Sequence, residues 1–219
     1  MSSHGLKPLP KDETVILVHG IWMQGWMLGV LAWRLRRYGY QTRCVSYPFL
    51  SATPKENSAK LEQALASVTT STVHWAPHSL GGIVWLHLVN SGATLPPGRT
   101  VLLGSPVQGS RVASRMHAKR WLRPLLGKSV EQGILGGAPL NIGNRSVALI
   151  RGGGWFSVSR LLMGDKEPSD GVVWHTETEL DGAADMTEVP RSHSIMIFSG
   201  LTARKAAEFF ANGEFSNTG

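Results

Sequence analysis

Short apolar runs alternate with longer stretches of helical spacing along most of the chain. The first run is Val15–Val18, and the stretch from Met23 to Tyr38 that follows it carries apolar side chains three and four residues apart. The same pattern predicts strands at 41–47, 72–76, 99–103, 146–151 and 185–189, and helices at 54–68, 80–90 and 198–210. Strands that alternate with helices indicate a parallel sheet covered by helices on both faces. We therefore predict an α/β fold with a compact, mainly parallel sheet of about six strands and a functional site at their carboxyl ends.

The chain is long enough for one hydrophobic core and shows no internal boundary. It has 219 residues, of which 42% are hydrophobic and 17% are charged, a balance typical of a globular domain. Residues 105–144 interrupt the alternation of strands and helices with many Gly, Arg and Ser residues. We therefore predict one domain over residues 1–219, with an insertion at 105–144 that is helical near 113–126 and lies over the sheet as a lid or cap.

Charge, cysteine content and hydropathy exclude several classes of protein. The formal net charge is +7, but neither basic cluster, at 34–37 and 111–128, belongs to a recognisable nucleic-acid motif, so we expect no nucleic-acid partner. The single cysteine, Cys44, cannot form an intramolecular disulfide, and its apolar neighbours predict a buried thiol. No residues have metal-ligand or phosphate-loop spacing, so we expect no metal and no other cofactor. The chain has no apolar segment typical of a signal peptide or a transmembrane helix, which predicts a cytoplasmic protein.

A serine lies at the junction between the third predicted strand and the next helix, in Trp75-Ala-Pro-His-Ser79-Leu-Gly-Gly82. A sharp turn at such a junction lifts the serine hydroxyl above the sheet and needs small neighbours, as in the Gly-x-Ser-x-Gly nucleophile elbow. Gly81 supplies the second glycine of that pattern, and Gly82 allows the helix to pack close to the sheet. Pro77 replaces the first glycine. Because proline has no N–H to donate, we expect strand pairing to have ended at this residue.

Two further segments accompany this elbow. Val18-His19-Gly20-Ile21 follows the first strand, while Ser169-Asp170-Gly171-Val172-Val173 and Ser192-His193-Ser194 lie downstream. Together with the elbow they resemble the lipase/esterase branch of the α/β hydrolases, in particular small bacterial lipases with a His-Gly turn and a His-Ser-Leu/Met-Gly-Gly elbow. The resemblance extends over residues 14–212. It implies the α/β-hydrolase fold and a serine hydrolase that cleaves carboxylic esters through an acyl-enzyme on Ser79.

A serine hydroxyl needs a base to accept its proton, and histidine is the side chain suited to this near neutral pH. Of the eight histidines, His193 lies in the loop between the last predicted strand and the last helix, where this fold supplies its base. His78 is set aside because adjacent side chains at the turn are expected to point apart. The remaining histidines fall in the N-terminal tail, the His-Gly turn, predicted strands and helices, the insertion, or close behind Asp170: His4, His19, His74, His87, His117 and His175.

The acid of such a site follows the fifth strand and precedes the histidine. Asp165 and Asp170 both satisfy this order, and Glu131 is the only carboxylate between Ser79 and Asp165. The resemblance favours Asp170, which stands in the family's acid-loop pattern Ser-Asp-Gly-Val-Val, and Asp165 is the alternative. The acid orients the imidazole of His193 and stabilises its charged form without taking the proton.

Two backbone N–H groups are expected to bind the negative oxygen of the tetrahedral intermediate. Leu80 follows the nucleophile at the start of its helix and supplies one of them. The resemblance assigns the other to Ile21, in the loop after the first strand. The small lipases commonly have a glycine two positions after Ile21, whereas Trp22-Met23 follows Ile21 here, which predicts a bulkier outer wall for this oxyanion hole.

The sequence leaves several alternatives open around this hypothesis. The same residues serve an acyltransferase or a thioesterase, and a hydrolase fold is also compatible with a non-catalytic binding module. Trp22 and Trp26 either line an acyl pocket or pack the first helix onto the sheet. Residues 111–128 form either a lid or interfacial surface in weak contact with anionic membranes, or a solvated cap helix. The expected ligand is a small-molecule or lipid ester.

Overall fold

Six parallel strands form the central sheet of the described part of the chain. The computed structural model describes residues 12–153 and 167–216. The strand order is β2-β1-β3-β4-β5-β6, and every neighbouring pair is parallel. This confirms the predicted parallel sheet. The strands are β1 (Glu13–Val18), β2 (Gln41–Val45), β3 (Thr72–Pro77), β4 (Arg99–Leu103), β5 (Ser146–Gly152) and β6 (Asp185–Val189).

Helices connect the strands and cover both faces of the sheet. They are α1 (Gly29–Arg36), α2 (Pro54–Ala66), α3 (Leu80–Val89), α4 (Arg111–Ala118), α5 (Arg123–Leu126) and α6 (Gly200–Asn212). The helix predicted from Met23 begins later, because Gln24 has an extended backbone and Gly25–Leu28 forms a 3₁₀ turn before α1. Over residues 12–153 and 167–216, none of the helices combines the length and the apolar character that a bilayer span requires.

Two apolar layers fix the helices to the sheet. Side chains of a strand point alternately to its two faces, so Ile16 and Val18 of β1 pack with α2 and α3, whereas Val15 and Leu17 pack with α1 and α6. Helix α3 is buried from Leu80 to Leu88 because it lies under α2 and the insertion as well as on the sheet. Each large aliphatic side chain buried here stabilises the fold by about 1.5–3 kcal/mol. The start of α3, directly after Ser79, is therefore firmly held.

Strand pairing continues past Pro77, so the expectation that it ends there is wrong. Pro77 is still in register with Val18 of β1, and the next residues donate further hydrogen bonds. The His78 N–H donates to Val18 O at 2.8 Å, and the Ser79 N–H donates to Leu103 O at 2.9 Å. Successive N–H groups of a strand point in opposite directions, so the missing N–H of Pro77 faces β4. The β3–β4 ladder is interrupted at this point, which accommodates a proline in an interior strand.

The thiol of Cys44 is half-buried, not buried as predicted. Among the described residues, Cys44 lies on the edge strand β2, which pairs only with β1 and has two exposed side chains, Gln41 and Arg43. Apolar neighbours in the sequence were therefore not sufficient for full burial of the Cys44 thiol.

Candidate active site

Ser79 lies at a strained turn between β3 and α3. Its φ of +55° falls in the left-handed region, which residues other than glycine rarely adopt. Nearby glycines permit the close approach of backbone that this turn requires. A Cβ on Gly20 would lie 2.8 Å from the Ser79 Cβ, and a Cβ on Gly81 would lie 2.6 Å from a carbonyl oxygen of β1. A Cβ on Gly82 would lie 2.2 Å from the Ser105 Oγ. Because these three residues are glycines, the backbone can pack as closely as the geometry of a nucleophile elbow requires.

Asp170 and His193 form a buried pair. The His193 Nδ1 lies 2.6 Å from the Asp170 Oδ2, and the His193 N–H donates to the Asp170 carbonyl at 2.9 Å. The Asp170 Oδ1 accepts hydrogen bonds from the N–H groups of Val172 at 3.0 Å and Val173 at 2.8 Å. Gly171 permits the loop with a φ of +99°. Because an ionised carboxylate can only accept, Nδ1 carries the imidazole proton, and Nε2 is left as the basic nitrogen.

Two glycines that sequence reasoning missed make room for this pair. Gly104 directly follows β4 with a φ of +53°, and a Cβ there would lie 3.0 Å from the Asp170 Oδ2 and 3.2 Å from the His193 Nδ1. Gly152 ends β5, where a Cβ would lie 2.5 Å from the Asp170 Cβ. The sequence offered one signal for these two residues, because each is a glycine at the carboxyl end of a strand, and the two strands are neighbours in the sheet.

Ser79 and His193 line one pocket, but no hydrogen bond joins them. In the part of the chain that the structure describes, the Ser79 hydroxyl forms no hydrogen bond at all. Catalytic hydrogen bonds are often loose without substrate and tighten in the complex. The structure thus brings all three predicted residues to one site, with the Asp170–His193 contact formed and the Ser79–His193 contact not formed.

The amides of Ile21 and Leu80 remain available as donors. Leu80 is the first residue of α3, whose initial N–H groups have no partner within the helix. Ile21 lines the pocket from the loop after β1. Among the described residues, neither N–H has a hydrogen-bond acceptor. Both predicted oxyanion donors therefore belong to segments next to Ser79, and their role stays a prediction.

His19 holds the loop that carries Ile21. Its ring stacks on the Tyr47 ring with centroids 4.2 Å apart, and its Nε2 accepts the Tyr47 N–H at 3.2 Å. The Tyr47 hydroxyl donates to the His19 carbonyl at 2.7 Å. Burial lowers the pKa of His19, so the ring is neutral and fixed in the tautomer that donates from Nδ1 to the Gly20 carbonyl.

His78 lines the same pocket as Ser79, contrary to the expectation that the two side chains point apart. Strand alternation fails here because Ser79 has left the extended conformation. The His78 Nε2 donates to the His193 carbonyl at 3.1 Å, and the two rings lie 4.8 Å apart between centroids. Burial, followed by the neighbouring His193, lowers the pKa of His78 to about 3. The neutral ring therefore supports the backbone of the histidine that is the candidate base.

Apolar side chains form most of the pocket, which has a volume of about 260 Å³. The insertion contributes Val112, Ala113 and Met116 from α4 and Leu126 from α5. The insertion thus forms part of the wall, and its movement as a lid stays a prediction.

Of the two tryptophans considered for an acyl pocket, only Trp22 lines the cavity. Its backbone is left-handed, with a φ of +59°, and its Nε1 donates to the Leu125 carbonyl at 2.9 Å. Trp26 is 76% exposed, so it neither lines the pocket nor packs α1 onto the sheet.

Several other candidates have structural partners or lie elsewhere. His74 contacts the Glu13 carboxylate at 3.0 Å, and His87 donates to the Gln132 carbonyl at 2.7 Å. Asp165 lies outside the residues that the structure describes. Over residues 12–153 and 167–216, no three His, Cys, Asp or Glu side chains are grouped to hold a metal ion.

Solved structures of a lipase, a hydrolase and an esterase are similar to this chain. The lipase BlEst2 of Bacillus licheniformis has a TM-score of 0.70 at 20% identity, covering 90% of this chain and 91% of its own. The pyrethroid hydrolase PytH has a TM-score of 0.62 at 12% identity, covering 90% and 96%. The esterase EaEST of Exiguobacterium antarcticum has a TM-score of 0.56 at 13% identity, covering 84% and 86%. No protein-family model and no curated protein sequence matches the chain.

Proposed function

We propose that this protein, whose chain has the α/β-hydrolase fold, is a serine hydrolase that cleaves carboxylic esters through an acyl-enzyme on Ser79. The parallel sheet and the structural matches confirm the fold that the motifs implied. The proposed activity is carried by the 2.6 Å hydrogen bond between the buried Asp170 and His193, where His193 lines the same pocket as a serine at a φ of +55°. A carboxylate that orients an imidazole near a serine hydroxyl in the same pocket is the arrangement that activates such a nucleophile.

In the proposed reaction the Ser79 Oγ attacks the ester carbonyl carbon while its proton moves to the His193 Nε2. Asp170 keeps Nδ1 protonated and stabilises the imidazolium. The amides of Ile21 and Leu80 bind the negative carbonyl oxygen, and each such donor is worth about 10²–10³ in rate. The C–O bond to the alcohol then breaks, and His193 returns the proton to that oxygen. Water, deprotonated by His193, attacks the acyl-enzyme and releases the carboxylic acid, and Ser79 regains its proton.

The pocket favours an ester with a compact apolar acyl group. Its volume of about 260 Å³ lies just below the range of roughly 300–1,000 Å³ found for ligand pockets. Apolar side chains from α4, α5 and the 193–198 region provide its wall. A small-molecule or lipid ester fits these properties, and the names of the structural matches, a lipase and an esterase, support the same class.

Hydrolysis of 4-nitrophenyl esters of increasing acyl length tests the proposal. We expect Ser79→Ala to lower kcat by about 10⁶, because the nucleophile and its base act as a unit. The matched control is Ser105→Ala, which removes another buried serine hydroxyl beside the elbow and should retain activity. A fluorophosphonate should label the wild-type protein at Ser79. No hydrolysis at any acyl length together with no labelling would overturn the proposal in favour of a non-catalytic binding module.

An acyltransferase or a thioesterase would use the same three residues. Product analysis separates these activities, since transfer to an added alcohol gives a new ester where hydrolysis gives the free acid. A higher kcat/KM for an acyl thioester than for the oxygen ester of the same acyl chain would identify a thioesterase.

A further inference from the structure

The connection between α4 and α5 and the first three residues of α5 carry exposed apolar and cationic side chains. Of the cations, Arg123 donates from Nε to the His117 carbonyl at 2.7 Å. Residues 119–125, named here the 119–125 turn, read Lys-Arg-Trp-Leu-Arg-Pro-Leu. The Trp121 side chain is 74% exposed and the Leu125 side chain is 48% exposed. Lys119, Arg120 and Arg123 are also exposed, and none of the three forms an ion pair with a carboxylate of the described chain.

This turn lies at the entrance of the candidate active site. The Trp22 Nε1 donates to the Leu125 carbonyl, and Trp22 both lines the pocket and is 52% exposed. Val172 and Phe198, from other parts of the chain, also line the pocket and are exposed. Large apolar side chains at the entrance therefore face both the cavity and solvent, with the 119–125 turn beside them.

The charged side chains within the turn all have one sign. No carboxylate occurs between Ser79 and Glu131, so the three cations of the turn have no acidic neighbour in sequence. Indole rings and basic side chains that alternate on one surface suit the boundary between lipid headgroups and acyl chains. Basic side chains are further attracted to anionic headgroups, by about 1 kcal/mol or roughly fivefold in affinity for each residue.

We propose that the 119–125 turn docks the entrance of the pocket onto an anionic phospholipid surface, from which an ester substrate enters. The role of the surface as a source of substrate rests on the proposed function, whereas the docking itself requires no catalysis. An apolar pocket entrance favours lipid over nucleic acid, since a nucleic-acid site needs a basic groove that follows the phosphates.

Vesicle binding tests the docking, with Ser79→Ala as the parent protein so that no ester is consumed. Cosedimentation with phosphatidylcholine vesicles that contain phosphatidylglycerol should exceed cosedimentation with phosphatidylcholine alone. It should weaken as salt shortens the screening length from about 10 Å at 0.1 M to about 3 Å at 1 M. Lys119→Glu with Arg120→Glu should lower binding to the anionic vesicles by at least about 25-fold, at roughly fivefold for each cation.

Matched variants separate the effect of the turn on vesicle binding from the effect of the net charge of the protein. Arg36→Glu with Arg37→Glu changes the net charge equally at the end of α1 and should leave vesicle binding unchanged. Trp121→Ala should reduce the quenching of tryptophan fluorescence by brominated phosphatidylcholine in the anionic vesicles. Trp33→Ala, at another exposed tryptophan beside arginines, should not reduce it. In the protein that retains Ser79, the turn variants should hydrolyse a soluble 4-nitrophenyl ester at the wild-type rate. This rate verifies that the variants fold.

Three outcomes would overturn the docking: equal binding to neutral and anionic vesicles, equal losses in the two double variants, or turn variants that retain vesicle binding and lose only retention on a DNA duplex. Vesicle binding without hydrolysis of any ester would refute the proposed function alone. Hydrolysis of soluble esters without vesicle binding would refute the docking alone.

Discussion

Replacing Gly104 with alanine should lower kcat by disturbing the Asp170–His193 pair. The new Cβ would lie 3.0 Å from the Asp170 Oδ2 and 3.2 Å from the His193 Nδ1, so those atoms must move by a few tenths of an ångström. A displacement of about 1 Å in an active site can cost about 10²-fold in rate. The smaller shift should therefore lower kcat roughly 10-fold, well short of the ~10⁴ lost when the acid is replaced. Initial rates on a 4-nitrophenyl ester measure this effect.

A second glycine separates backbone strain from the loss of catalytic geometry. Gly104 has a φ of +53°, and an alanine in the left-handed region costs about 1–2 kcal/mol of folding free energy. Gly92→Ala is the matched control, because Gly92 has a φ of +86° and a Cβ there would meet no atom within 4 Å. Both variants should lose similar free energy of unfolding in urea, and only Gly104→Ala should lose kcat. A wild-type kcat in Gly104→Ala, or an equal loss in Gly92→Ala, would refute the reasoning.

Three further predictions concern the acid, a buried histidine and a helix cap. Asp170→Asn should lower kcat by about 10⁴ at neutral pH, measured by initial rates, because an amide no longer holds Nδ1 of His193 protonated. The pKa of His78 is about 3 in the folded protein and 6.5 ordinarily. As the pH is lowered below 6.5, the unfolded state therefore binds a proton that the folded state does not, and the free energy of unfolding decreases. When the pH is lowered from about 7 to about 5, the unfolding free energy of His78→Gln, measured in urea, should decrease by roughly 2 kcal/mol less than that of the wild type. An equal decrease in both proteins would contradict this linkage. Thr53→Ala removes the capping box of α2 and should lower the unfolding free energy by about 1 kcal/mol in urea, with kcat unchanged.

Strand positions followed closely from sequence, whereas one helix start did not. The predicted strands at 99–103 and 185–189 have the bounds of β4 and β6, because short apolar or alternating runs between turn residues leave little choice of conformation. The first helix was predicted to begin at Met23, since apolar spacing continues through Trp26 and Met27. The 3₁₀ turn at Gly25–Leu28 has the same apolar residues, so periodicity alone does not separate it from α1.

The candidate site was predictable as a set of residues and not as an arrangement. Ser79 was marked by its position between a strand and a helix, and the resemblance selected Asp170 and His193. The structure brings the three together, and their catalytic roles stay predictions. The relation between His78 and Ser79 was misjudged because the direction of the Ser79 side chain depends on the φ of Ser79, which no residue pattern reports.

The sequence by itself determined the order of strands and helices and the elbow at Ser79, because these depend on neighbouring residues and local periodicity. The resemblance of its motifs to those of the α/β hydrolases selected the candidate acid and base. Only the tertiary structure decided that Gly104 and Gly152 make room for Asp170, that His78 supports His193, and that residues 119–125 lie at the pocket entrance. These features depend on contacts between segments far apart in the chain, and the register and packing of the sheet set those distances.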